Sequence, residues 1–121
     1  MSEVDKRKYE RVDVRIPVRY RALKAGAGEK GTHSFTQNMC EGGVRFLVAE
    51  FISIATRLIL ELDMPLFSKP VKAISRIAWI RKTPTGDTFE VGGHFLEMSK
   101  KDKELFSKYV GSIVLGDKKS S

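Results

Sequence analysis

The stretch Val12-Asp13-Val14-Arg15-Ile16-Pro17-Val18-Arg19-Tyr20-Arg21 places apolar residues at every even position, against Asp, Arg and Pro at the odd ones. A period of two over this length predicts a strand with one buried face. Pro17 falls on the polar set, where a missing amide suits an edge or a bulge. The preceding residues, MSEVDKRKYER, lack apolar periodicity and read as a flexible arm over 1–11. On the other side, Ala25-Gly26-Ala27-Gly28 breaks the alternation as a turn, and a weaker strand is predicted from about Lys30 to Thr36. Asn38-Met39-Cys40-Glu41-Gly42-Gly43 reads as the next turn, because Asn and Gly tolerate left-handed backbone angles.

Further along, Val44, Phe46 and Val48 alternate with Arg45, Leu47 and Ala49. Leu58, Leu60 and Leu62 share one face of a strand over Thr56 to Leu62, which Met64-Pro65 ends. Another strand runs from Val71 to Arg81, with Trp79 near its end. Thr83-Pro84-Thr85-Gly86-Asp87 is a hairpin-type connection to a strand holding Phe89, Val91 and Phe95, with Gly92-Gly93 as a bulge or a close backbone approach. Ser99 opens a helix, and Asp102 three residues on completes an S-x-x-D capping signal. Leu105, Phe106, Tyr109, Val110, Ile113 and Val114 recur at helical spacing, and Gly116 is the expected stop. The helix then covers about 99–115, with a polar tail at 116–121. Successive strands with short turns, followed by one helix, predict an all-β fold with a C-terminal helix: a six-stranded antiparallel β-barrel over 12–115.

The length of 121 residues suits one domain. Lys and Arg number 22 against 15 Asp and Glu, a formal charge of +7 that favours an anionic partner. The excess concentrates between Lys6 and Lys24, where only Glu10 and Asp13 oppose eight basic residues. One cysteine, Cys40, allows no intramolecular disulfide and points to a reducing compartment. The N-terminus is polar, and no segment approaches the roughly 18 apolar residues of a membrane span. The chain reads as cytoplasmic.

Catalytic chemistry finds little support. His33 and His94 lie in no recognisable motif, and a lone Cys40 is more often a small buried residue than a nucleophile. Zinc needs about four ligands at characteristic spacings, which are missing, as is a phosphate-binding G-x-x-x-x-G-K-[ST] loop. Glu61 and Asp63 lie two apart, as on a solvated strand face. No enzyme, metal or cofactor is expected.

Two segments suit ligand binding instead. Arg7-Lys8-Tyr9-Glu10-Arg11 spaces two guanidiniums as R-x-x-x-R just before the first strand. Guanidinium forks match phosphate oxygens and stack on aromatic bases. Alone, that spacing arises easily by chance in a chain with 22 basic residues, and a solvated basic arm is its default reading. In the second segment the Asn38 amide donates and accepts, which suits a base edge, and Gly42-Gly43 permits close approach to the backbone. A plain hairpin turn accounts for the same residues.

Together and in this order, the two segments resemble the PilZ domain family, with its R-x-x-x-R, its [D/N]-x-S-x-x-G about thirty residues on, its six-stranded barrel and its C-terminal helix. The matching positions here are Arg7 and Arg11, then Asn38, Cys40 and Gly43. The resemblance continues through Gly43-Val44-Arg45-Phe46, Ala78-Trp79 and Val91-Gly92-Gly93-His94-Phe95, and covers roughly residues 6–115. It implies binding of the bacterial second messenger cyclic di-GMP. By that resemblance Arg7 and Arg11 hold phosphate and stack on guanine, Asn38 and Cys40 contact a guanine edge, Gly43 leaves room for the ligand, Gly92 faces the same pocket and Lys6 adds a phosphate contact. Cys40 stands where the family usually has Ser, and a thiol bonds more weakly. One lost neutral hydrogen bond costs about 0.5–1.5 kcal/mol, up to about tenfold in affinity. With no room for an output domain in this length, the expected receptor signals through a partner protein. The alternatives are a PilZ-fold adaptor that binds no nucleotide and, less favoured, a nucleic-acid binder using the basic N-terminal stretch. The aromatic residues fall mostly on apolar strand faces, which disfavours that last reading.

Overall fold

The computed structural model describes residues 12–24, 31–40, 42–65 and 68–120, with the side chains of 114–120 excepted. Six antiparallel strands close a barrel: β1 (Pro17–Ala22), β2 (Thr32–Cys40), β3 (Gly43–Val48), β4 (Arg57–Leu62), β5 (Val71–Lys82) and β6 (Phe89–Met98). The helix α1 (Lys100–Ser120) follows. Around the barrel the order is β1-β2-β3-β6-β5-β4, and β1 pairs with β4 to close the ring. Every sheet edge is thereby used. The connection from β3 to β4 must cross one mouth of the barrel, because β6 and β5 lie between them.

Alternation predicts the faces well. Val12, Ile16, Val18 and Tyr20 are buried, as are Val44, Phe46 and Val48 and the leucines 58, 60 and 62. These residues form one core with Val71, Ile77 and Val91. Pairing departs from the sequence reading near the start. The ladder begins only at Pro17, and Val12 makes a single bridge to Met39, with the two amides and carbonyls exchanged at 2.9 and 3.0 Å. Between these points the Thr36 hydroxyl substitutes for a strand partner. It accepts from the Ile16 amide at 2.9 Å and donates to the Val14 carbonyl at 2.6 Å. Proline has no amide to give a ladder, so it starts the strand rather than continuing it.

A second correction concerns residues 38–43. They do not form one turn: β2 runs on through Asn38, Met39 and Cys40, and Cys40 pairs directly with Gly43. A register shift between Thr36 and Asn38 puts a bulge in β2 at this point. The bulge lets polar Gln37 and Asn38 stay within a strand whose flanking residues, Thr36 and Met39, are buried. The Thr83–Asp87 connection is as expected: the Thr83 amide donates to the Thr88 carbonyl at 3.0 Å, and Gly86 takes the positive φ of 80° that the turn needs.

Ser99 caps α1 as predicted, its hydroxyl accepting the Asp102 amide at 3.1 Å. The Asp102 carboxylate does not reach back to Ser99. It accepts the Lys72 amide at 3.2 Å and so ties the first helical turn to β5. Phe106 and Val110 are buried, and the Phe106 ring meets Phe95 edge-on with centroids 5.1 Å apart. The helix passes Gly116 and reaches Ser120, beyond the expected end at 115. A glycine inside a helix costs only about 1 kcal/mol relative to alanine, and Asp117-Lys118-Lys119 holds no breaker.

Candidate functional site

Residues directly opposed on antiparallel strands share a face. The inward row Met39, Val44, Gly93, Ile77 therefore fixes its neighbours as outward. One outer row, across β2, β3, β6 and β5, reads Asn38, Arg45, Gly92, Trp79. The next reads Cys40, Gly43, His94, Arg76. Four strands at about 4.8 Å spacing make this face about 14 Å wide. Asn38, Cys40, Gly43 and Gly92 thus lie on one continuous surface, although more than fifty residues separate the first from the last.

The structure also shows what the sequence reading missed on this face. Arg45 faces Glu90 at 3.2 Å, and the same carboxylate is held by Arg81 at 2.7 Å, so two guanidiniums share one carboxylate and the corner keeps a net positive charge. Arg76 has no carboxylate partner among the described residues. The Arg81 guanidinium also sits 5.5 Å from the centre of the half-exposed Trp79 ring. Beside the face, Arg15 lies over the exposed Phe35 ring at 4.7 Å. The ion pairs of Glu90 with Arg45 and Arg81 join neighbouring strands and only the register of the barrel identifies them, whereas Arg81 and Trp79 lie two apart on β5.

Both glycines have packing reasons of their own. A Cβ at Gly43 would overlap the Gly93 carbonyl, and one at Gly92 would enter the Trp79 indole. The room beside Gly92 is therefore taken by Trp79. Asn38 is largely buried at 9% exposure, while Cys40 is half-buried. Lys6, Arg7 and Arg11 lie outside the described residues. The chain leaves them at Val12, which is bonded to Met39, between Asn38 and Cys40. Arg7 is five residues from Val12, a reach of at most about 18 Å of extended chain, comparable with the width of the face.

Glu61, considered above with Asp63, pairs instead with Arg19 at 2.5 Å and Lys72 at 3.8 Å. No group of three or more His, Cys, Asp or Glu among the described residues could hold a metal ion. A groove of about 470 Å³ between β6 and α1 is lined by Gly42, His94, Leu96, Lys103 and Phe106, among others. It adjoins the face through His94. No helix among the described residues is long and apolar enough to cross a membrane.

Comparison with known proteins places this architecture. Among solved structures, the Bacillus subtilis inhibitor of motility MotI/DgrA superposes with a TM-score of 0.76 at 17% identity, covering 93% of this chain and 53% of that one. The PilZ domain of YcgR from Escherichia coli, solved with c-di-GMP, gives 0.68 at 13% identity, covering 95% and 96%. The K. pneumonia MrkH–c-di-GMP complex gives 0.72 at 13% identity, covering 98% and 57%. The chain thus spans about half the length of the MotI and MrkH chains and nearly all of the YcgR domain. No curated protein matches by sequence. The PilZ domain profile matches residues 5–112, nearly the whole length, so the six-stranded barrel with its C-terminal helix belongs to the PilZ domain family.

Proposed function

We propose that this chain is a receptor for cyclic di-GMP, which it binds on the outer face of β2, β3 and β6, and that it signals from the cytoplasm through a partner protein. The observation that carries the reading is the convergence of Asn38, Cys40, Gly43 and Gly92 on one face beside the point where Val12 enters the barrel. Two PilZ relatives of the same fold were solved with c-di-GMP. In this reading Arg7 and Arg11 supply the phosphate and guanine contacts, with Lys6 adding charge. Asn38 and Cys40 offer polar groups to a guanine edge, and Arg76 and His94 extend the positive field over the second row. Trp79, lying over Gly92, borders the ligand rather than leaving room for it.

A titration with cyclic di-GMP by calorimetry tests this, with linear GMP derivatives as controls. Micromolar or tighter binding is expected, lost in Arg7→Ala and in Arg11→Ala. Cys40→Ser is expected to tighten binding by up to about tenfold, the worth of one neutral hydrogen bond. Absence of any heat with the wild-type chain would overturn the reading.

One observation favours a second reading, a PilZ-fold adaptor that acts without nucleotide. Gly43 and Gly92 are both required by packing alone, and Cys40 weakens the polar edge. Silence towards the ligand in both the wild-type chain and the Cys40→Ser variant would support the adaptor.

A further inference from the structure

We propose that the barrel mouth crossed by residues 49–56 is a docking surface for an anionic phospholipid bilayer. The crossing carries two large apolar side chains out into solvent: Phe51 is 63% exposed and Ile54 60%. Neither exposure comes from a loose loop. The Ala55 amide donates to the Ile77 carbonyl at 2.8 Å, the Ile77 amide donates to the Thr56 carbonyl at 2.9 Å, and the Thr56 amide closes the turn on the Ser53 carbonyl at 3.2 Å. Ala55 has a φ of 76°, a conformation rare for a residue with a side chain, and this turn sets Ile54 at its tip. At the root of the crossing the Phe51 ring meets Phe89 edge-on at 6.0 Å. A third exposed apolar residue, Leu23, joins the same end of the barrel through its amide, which donates to the Arg57 carbonyl at 3.0 Å.

The charges around this tip are basic. Arg57 and Arg76 stand directly opposite each other on β4 and β5, both exposed, and neither has a carboxylate partner among the described residues. Like charges directly opposed repel, so the pair weakens the sheet unless an anion lies over it. Lys82 pairs with Phe89, the residue under Phe51, and adds a third cation. Glu50 is the acidic residue adjoining Phe51 in the chain. Apolar side chains on a projecting tip, with cations behind them, match the layering of a bilayer surface: acyl chains below, phosphates above. A folded acidic protein would need a cleft shaped to receive the tip, whereas lipid yields to it.

Co-sedimentation of the full chain with vesicles tests this. The wild-type chain is expected to pellet with phosphatidylcholine vesicles containing phosphatidylglycerol, to stay in solution with phosphatidylcholine alone, and to be released by raised salt. The double variant Phe51→Ser with Ile54→Ser is expected to lower partitioning more than tenfold, and Arg57→Gln or Arg76→Gln by about fivefold each. All four side chains are exposed, and thermal melts by circular dichroism establish that each variant is folded. The proposal is overturned if the wild-type chain pellets with neither vesicle, or if the double serine variant partitions like wild type. Loss in the arginine variants alone would likewise overturn it and assign the pair to a soluble anion or an acidic protein. None of these readouts depends on cyclic di-GMP.

Discussion

Replacing Thr36 by valine isolates the device that holds the N-terminal approach against the barrel. The side chain is fully buried, and its hydroxyl serves two backbone groups more than twenty positions upstream or close to it, the Ile16 amide and the Val14 carbonyl. Valine keeps the shape and deletes both bonds. The Ile16 amide is then orphaned beside a side chain that is 2% exposed, whereas the half-buried Val14 can recover water for its carbonyl. An orphaned buried group costs about 1–3 kcal/mol. One full penalty and part of another give an expected loss of about 2–4 kcal/mol, a large share of the roughly 5–15 kcal/mol that holds a domain together. Urea unfolding followed by Trp79 fluorescence, from the only tryptophan in the chain, measures it. The midpoint is expected to fall with the slope unchanged. Thr36→Ser keeps the hydroxyl and removes one methyl, a loss of about 1 kcal/mol. A valine variant within about 0.5 kcal/mol of wild type, or a serine variant worse than the valine one, would refute the reasoning.

Three further perturbations follow from the same structure. Burial, with the Glu50 carboxylate adding to it, raises the Tyr20 phenol above its ordinary 10.0, so the folded state keeps a proton that the unfolded chain releases. Stability is then complete below pH 10.0 and falls as pH climbs through the raised value. Urea midpoints taken on both sides of pH 10.0 are expected to show that fall, and to show less of it in Tyr20→Phe. Leu60→Ala, at a site with no exposure, is expected to cost about 2–5 kcal/mol by thermal unfolding. A loss under 1 kcal/mol would mean that the barrel interior repacks freely. Gly43→Ala pushes a Cβ into the Gly93 carbonyl and is expected to cost about 1–3 kcal/mol. Gly86→Ala meets nothing in space and carries only the strain of its positive φ, about 1 kcal/mol. Equal losses at the two glycines, read from the same melts, would show that the close approach of β3 to β6 is not what demands Gly43.

Much of the barrel was legible residue by residue. In 12–20 the apolar positions are buried except for the half-buried Val14, because a strand alternates its side chains whatever it pairs with. Pairing itself was not legible there. The ladder between 12 and 17 is replaced by bonds to the Thr36 hydroxyl, and the partner that releases those residues from strand geometry lies about twenty positions away. The place of Asn38 in a strand was illegible for a similar reason, because Asn beside Gly42-Gly43 suits a turn equally well. Its polarity argues against a buried strand, and the bulge that accommodates it belongs to the β2–β3 pairing rather than to the local sequence. The helix cap at Ser99 was legible because it is local. The bond from Asp102 to Lys72 was not, because it joins residues thirty apart.

By itself the sequence determined the inside and outside of the strands around 12–21, 44–49 and 56–62, the number of strands, the start of the helix and the short motifs, all of which depend on spacings of a few residues. Only the tertiary structure decided which of those motifs meet. Pairing of β3 with β6, across two intervening strands in the chain, sets Gly43 and Arg45 beside His94 and Gly92, and pairing of β6 with β5 adds Arg76 and Trp79. The same closure sends 49–56 across the mouth of the barrel and sets Phe51 and Ile54 beyond its rim. Alternation specifies the face on which a side chain lies. The neighbours on that face come from strand order, which is set by how six amphipathic strands together bury one core.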